Sequence, residues 1–212
     1  MSSIYLLNLL QESLPTAVVF IVSLVAAISV HECAHAWTAY RLGDDTPHLQ
    51  GRVTLNPAAH LDPLGSIVFL VFGMGWGRPV VYNPMRLSRK VDELLIALAG
   101  PASNLVFALF LNILAYAVAG PAPFYSEILR QAAAINVILA AFNMVPIPPL
   151  DGSSIVAYFW PPYRSLIGGQ IGLIILLAIV FVPVGPHGGI IGTIIPPVIN
   201  LFDLVTHLFG LI

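Results

Sequence analysis

Apolar positions along this chain come in long unbroken runs rather than in alternation. Stretches without Asp, Glu, Lys, Arg or His cover Ser13–Val30, Pro63–Gly77, Leu94–Ser126, Gln131–Leu150 and Ser165–Pro186, with a last one, interrupted by Gly and Pro, from Gly188 to Phe202. A helix needs about 20 residues to cross about 30 Å of hydrocarbon, and four of these runs are long enough. Pro63–Gly77 falls short. It carries Gly73, Gly75 and Gly77 in alternation, follows Gly51-Arg-Val-Thr-Leu-Asn56 and ends in Arg78-Pro79, a pattern that predicts extended or re-entrant backbone. The cluster Gly120-Pro121-Ala122-Pro123 stops the Leu94 helix near Ala119. The expected fold is an all-α polytopic membrane protein of about five to six membrane segments, with a membrane-embedded β-like or re-entrant segment at about 51–77. It forms a single integral membrane domain over 1–212, with core helices at about 14–42, 93–119 and 128–146 and C-terminal helices at about 165–184 and 188–210.

Composition sharpens this. Hydrophobic residues make up 58% of the 212 positions and charged ones only 8%, against about 25% charged in a soluble domain. A water-soluble globule is excluded. Eight Lys/Arg against ten Asp/Glu give a net charge of −2, so the basic footprint that nucleic-acid binding requires is missing. Cys33 is the single cysteine and cannot form an intramolecular disulfide. Met1–Leu14 has no Lys or Arg and contains Glu12, which reads as a retained amphipathic lead-in rather than a signal peptide. Six of the eight basic residues, Arg41, Arg52, Arg78, Arg86, Arg89 and Lys90, lie between the first helix and the Leu94 helix. The positive-inside rule places that region in the cytoplasm of a multi-pass cell-membrane protein. The first helix then runs inward, the Leu94 helix outward, and the Gln131 helix inward again to Pro146-Ile-Pro148-Pro149.

The scarce polar residues carry the chemistry. At the end of the first run stands His31-Glu32-Cys33-Ala34-His35. On a helix, i and i+4 share one face, so both imidazoles reach one metal while Glu32 lies about 100° round, beside it. This is the H-E-x-x-H arrangement of two zinc ligands and a carboxylate placed to act on water. Surface decoration is a poor alternative, because ionisable groups next to a charge-free membrane run cost roughly 2.5–3.5 kcal/mol each.

A catalytic zinc site usually has three protein ligands and one open position. Asp151 is the candidate third ligand: it follows a proline-broken apolar helix and precedes Gly152. Its competing reading is an N-cap for the segment that follows. Depth favours the ligand, because in this topology Asp151 and the His31/His35 end of the first helix lie toward the same cytoplasmic face. A full span at Pro63–Gly77 would put them on opposite sides. The metal is expected within the hydrocarbon, on its cytoplasmic half, since His31 lies about 15 Å along the helix from Arg41.

These residues resemble the site-2 protease family of intramembrane zinc metalloproteases, in a compact form without extra soluble domains. The resemblance rests on His31-Glu32-Cys33-Ala34-His35, on Gly51-Arg52-Val53-Thr54-Leu55-Asn56-Pro57 with His60-Leu61-Asp62-Pro63-Leu64-Gly65, on Ala99-Gly100-Pro101-Ala102-Ser103-Asn104, and on Phe142-Asn143 with Pro146 and Pro149-Leu150-Asp151-Gly152. It implies one Zn2+ per chain on His31, His35 and Asp151, Glu32 as catalytic acid/base, and cleavage of transmembrane helices of other membrane proteins. Single-span membrane proteins and the lipid bilayer are the implied partners; nothing in the sequence speaks to an oligomeric state.

Asn143, just ahead of the proline break, is a second candidate catalytic residue, its amide donating to the substrate backbone or oxyanion, with an interhelical hydrogen bond as its alternative. Asn104 divides between bundle contact and site support. His60 and Asp62 divide between a partner for a zinc ligand's second ring nitrogen and a loop cap. His48, His187 and His207 read as interfacial or loop residues, Cys33 as packing, and Trp37, Tyr40 and Trp76 as an aromatic belt. The alternating pattern after Arg52 offers an extended edge for an unwound substrate. A metal-binding transporter or channel is the alternative function, and Glu32 argues against it, because permeation has no need of a carboxylate at that spacing.

Overall fold

The computed structural model describes residues 14–72, 76–181 and 200. The expected lead-in before residue 14 and the last C-terminal helix, 188–210, therefore lie outside the described residues, apart from position 200. What is described is all helical. The elements are α1 (Leu14–Arg41), α2 (Thr46–Leu49), a 3-10 turn (Pro57–Ala59), α3 (Pro63–Phe72), a second 3-10 turn (Pro84–Arg86), α4 (Val91–Val118), α5 (Pro123–Asn143), α6 (Asp151–Phe159), α7 (Tyr163–Ile167) and α8 (Gln170–Phe181).

Helices α1 and α4 have 28 residues each and are long and apolar enough to cross a membrane. Both leave most of their apolar surface uncovered by protein, with Val22, Val106 and Phe110 all exposed. In water such a surface would drive association; in hydrocarbon it needs no partner. Small residues are buried on both helices, Ala27, Ala36 and Ala39 on α1 and Ala97, Gly100 and Ala108 on α4, and Gly100 lies directly against His31 and His35. Small residues let helix backbones approach closely, which is what packs helices where lipid offers no hydrophobic drive. Helix α4 also packs along α5, through Ala108, Leu111, Ala133 and Val137.

The segment from 42 to 90 folds against the C-terminal end of α1. Asp44 is fully buried and accepts from the Thr46 backbone N–H (3.0 Å), the Thr46 hydroxyl (2.6 Å) and the Asn83 N–H (2.6 Å). These bonds and the charge of Arg86 hold its carboxyl below the usual range even though burial pushes the other way. Arg52 donates to the carbonyls of Arg78 and Pro79, the Arg78 N–H donates to His60 O (2.6 Å), and Leu61 and Gly77 form an isolated antiparallel bridge. The two ends of the 61–77 excursion are thus tied together.

Within that excursion the backbone differs from expectation. Among the described residues there is no strand; the β-like character at 51–77 shrinks to the single Leu61–Gly77 bridge, and residues 63–72 are helical. The cause is local. The Asp62 carboxylate accepts from the Gly65 N–H (2.7 Å), Pro63 stands at the first helical position, and seven residues without Gly or Pro, from Ser66, follow. The glycine alternation starts only after this helix has run its course.

Beyond α5, the chain turns through 144–150 and enters α6 at Asp151. Gly152 permits the turn: a Cβ there would lie 2.2 Å from Met144 O. Val145, Leu150 and Leu176 pack together and bring α8 under the turn. The run expected as one helix at 165–184 is divided into α7 and α8 at Gly168 and Gly169, the latter at φ +65°, a conformation that favours glycine.

Candidate metal centre

The polar face of α1 meets α4 and the start of α6 at one point. His31 Nε2 and His35 Nε2 lie 3.0 Å apart, and Asp151 Oδ2 lies 3.1 Å from the first and 3.3 Å from the second. This is the one cluster of three or more metal-capable side chains among the described residues. Both histidines are buried and Asp151 is nearly so. Tetrahedral zinc, with bonds of about 2.0–2.1 Å, sets its ligand atoms about 3.3–3.4 Å apart, close to the observed triangle.

The outer ring nitrogens are already used. His31 Nδ1 donates to Asn104 Oδ1 (2.6 Å) and His35 Nδ1 donates to Ile96 O (2.7 Å). A neutral imidazole has one N–H, so each Nε2 turns a lone pair toward the centre of the triangle. Asp151 Oδ2 is buried with no hydrogen bond. Three electron pairs facing one another without a proton repel, and a buried orphan of this kind costs free energy. A cation at the centre removes both problems, so the residues fit zinc.

The surroundings leave no slack. A Cβ on Gly100 would sit 2.3 Å from His35 Nε2 and 2.6 Å from His31 Nε2, so only glycine lets α4 lie against both rings. Asp151 is the first residue of α6 and does not cap it; Leu150 is the N-cap residue and gives no side-chain bond. Its carboxylate is therefore free to face the histidines.

Glu32 faces the folded-back segment. Arg52, buried on α1's flank, brings a guanidinium nitrogen to 3.8 Å from Glu32 Oε2, and a Cβ on Gly77 would lie 3.6 Å from Glu32 Oε1. The Asn143 amide donates to Leu139 O in its own helix (2.9 Å). His60 is fully buried and bonds Thr54 O (2.7 Å), and Asp62 caps α3; both hold the loop rather than a histidine of the cluster. Of these asparagine, histidine and aspartate candidates, Asn104 is the one hydrogen-bonded to a histidine of the cluster. The sequence names Arg52 as a basic charge, in the Gly51–Pro57 motif and beside an extended edge but not as a partner of Glu32, and it does not name Asn136, which bonds Asn104. The signal for Asn136 is that it is one of two asparagines inside the charge-free run Gln131–Leu150.

Comparison with known proteins now bears on the centre. A family model described as Peptidase family M50 matches residues 122–183. The chain is 37% identical over 183 residues to "Putative zinc metalloprotease YwhC" of Bacillus subtilis, covering 79% of this chain and 82% of that protein. The chain belongs to peptidase family M50. Two other relatives of the M50 protein carry names of the same form: Rip2 of Mycolicibacterium smegmatis, 34% identical over 133 residues, 59% of this chain and 51% of its own length, and MJ0611 of Methanocaldococcus jannaschii, 32% identical over 158 residues, 71% of this chain and 76% of its own. No solved structure matches. Membership makes this M50 chain a metalloprotease of the membrane, a hydrolase of peptide bonds.

Proposed function

We propose that this M50 protein is an intramembrane zinc metalloendopeptidase that hydrolyses peptide bonds within or near transmembrane segments of single-span membrane proteins. Zinc is its cofactor, held by His31 and His35 from α1 and Asp151 from α6. The observation that carries the assignment is the donor triangle of 3.0, 3.1 and 3.3 Å, with an unpartnered Asp151 oxygen and both Nδ1 atoms spent elsewhere.

Bound zinc supplies the Lewis acidity that activates water and polarises a peptide carbonyl. The chain's own residues do the rest. Glu32 takes the proton from the attacking water and returns it to the departing amine nitrogen. Arg52, 3.8 Å away, aims that carboxylate, and Gly77 forms part of the wall beside it. Asn143, at the end of α5, spends one amide N–H on Leu139 O and offers the other to the substrate backbone.

The membrane reading extends from α1 and α4 to five to six segments in a multi-pass cell-membrane protein of one domain. Because residues 61 and 77 meet, the 63–76 excursion enters and leaves on one side, which supports a re-entrant segment. With the basic residues of 41–90 in the cytoplasm, the centre lies in the cytoplasmic half of the bilayer, and water reaches it from that side.

The test compares purified wild type with Glu32→Gln. Both should hold zinc equally, while cleavage of a single-span substrate in detergent falls by about 10²–10⁴-fold in the variant, the usual worth of a positioned acid/base. Equal cleavage by the two proteins refutes the assignment.

A further inference from the structure

Behind His31 runs a line of buried carboxamides that ends on a third helix. The His31 Nδ1–H donates to Asn104 Oδ1 (2.6 Å); Asn104 Nδ2 donates both to Ala27 O (3.0 Å) and to Asn136 Oδ1 (2.8 Å); Asn136 Nδ2 donates to Ala132 O (2.9 Å). Asn104 and Asn136 are both fully buried. We infer that Asn136 is a positioning residue for the metal centre, which fixes the tautomer and orientation of His31 through Asn104.

The argument turns on which groups can only accept. A backbone carbonyl has no proton to give, so Ala132 O requires the amino end of Asn136 and turns Asn136 Oδ1 toward Asn104. Ala27 O likewise requires the amino end of Asn104. With Asn136 Oδ1 beside it, both Asn104 N–H groups are spent. Turning the Asn104 amide over would set its oxygen against two other oxygens in a dry interior, where unpaired polar groups are most costly. Asn104 Oδ1 is thereby fixed toward His31, and an oxygen there accepts only from an Nδ1–H. The proton is held on the outer nitrogen, and the Nε2 lone pair is left for the metal. Two carbonyls, one on α1 and one on α5, thus decide the state of an imidazole ring to which neither is hydrogen-bonded.

The line also explains why α5 matters to a centre whose ligands lie on α1 and α6. Metal-bound histidines usually have such an orienting partner, and losing it costs about 10–100-fold in affinity. Here the partner needs its own partner, because an amide, unlike a carboxylate, has a wrong way round.

The inference rests on His31 being a zinc ligand, and the experiment separates the two. Zinc affinity is measured by competition with a chromophoric chelator on purified full-length protein in detergent, for wild type, His31→Ala, Asn104→Leu, Asn136→Leu and the double variant Asn104→Leu/Asn136→Leu. Leucine matches asparagine in heavy-atom count but has no hydrogen bond to offer. Expected are a weakening of about 10–100-fold in Asn104→Leu, about tenfold in Asn136→Leu, and no further loss in the double variant. Nitrogen NMR of the metal-free protein should show the Nδ1–H form of His31 in wild type and a mixture of tautomers in Asn136→Leu. Equal multiplicative losses in both backgrounds, or wild-type affinity in Asn136→Leu while His31→Ala loses zinc, overturn the relay alone. Wild-type affinity in His31→Ala overturns the metal assignment itself. Should Asn136→Leu fail to accumulate, Asn136→Ala removes the same amide without added bulk and is read in the same way.

Discussion

Adding one methyl group at Gly100 tests the geometry of the centre more severely than deleting a ligand. In Gly100→Ala the new carbon would stand 2.3 Å from His35 Nε2 and 2.6 Å from both Cε1 and Nε2 of His31. Ordinary contact begins at 3.4 Å, so the rings must retreat by up to about 1.1 Å. Metal–ligand distances tolerate only about 0.2 Å. The loss of zinc affinity should therefore exceed the about 10–100-fold that follows removal of an outer hydrogen-bond partner. Stability of the metal-free protein should change far less. Overpacking costs about 1–3 kcal/mol, and alanine regains about 1 kcal/mol of helix propensity over glycine. The net destabilisation is at most about 2 kcal/mol. Chelator competition gives the affinity, and thermal unfolding with excess chelator gives the stability. Gly120→Ala, with nothing within 4 Å of the added carbon, is the control and should match wild type in affinity. Wild-type zinc affinity in Gly100→Ala would refute the placement of both rings against α4.

Two further outcomes follow from the segment between 42 and 90. Arg52→Gln should lower kcat while leaving zinc content unchanged, and should increase protease nicking near 78–79, because the guanidinium both faces Glu32 and ties down those carbonyls; Arg52→Lys should restore part of the rate, and unchanged kcat with unchanged nicking speaks against the clamp. Asp44 has its pKa held below the ordinary carboxylate value in the folded chain, so its contribution is full above about pH 4, the unfolded value, and fades as pH falls through the lower folded value. Hydrogen exchange at the Asn83 amide should accelerate below about pH 4 in wild type, and Asp44→Asn should remove that acid dependence.

Much of this was legible from residue order, and the rest failed for identifiable reasons. The i, i+4 spacing of His31 and His35 and the proline break before Asp151 are one-dimensional features, and they point to three side chains that the fold brings together. Helix α1 could be read because its charge-free run ends where charge begins. The 63–72 helix runs against the pattern because its start signal at Asp62-Pro63 precedes the glycine alternation of Gly73, Gly75 and Gly77, and a helix begins at its cap. The role of Asn104 was left open, and Asn136 went unremarked, because a carboxamide's partner depends on which helix lies alongside. No pattern within one helix says that. Residue order puts Arg52 among six positive charges and in the Gly51–Pro57 motif; that its guanidinium holds two carbonyls 26 and 27 residues away is a tertiary fact.

Helix α6 makes its main packing contacts with α4, not with α1, so Asp151 meets the two histidines across a junction that packing alone does little to secure. A metal shared by these three side chains closes a covalent-like loop of roughly a hundred residues, which by chain-entropy arguments is worth about 4–5 kcal/mol against the unfolded ensemble. In a bilayer, where burying apolar surface gives helices no reason to associate, such a staple ranks with the helix seams themselves. The cofactor that cuts peptide bonds is, on this architecture, also the rivet that keeps the cutter assembled.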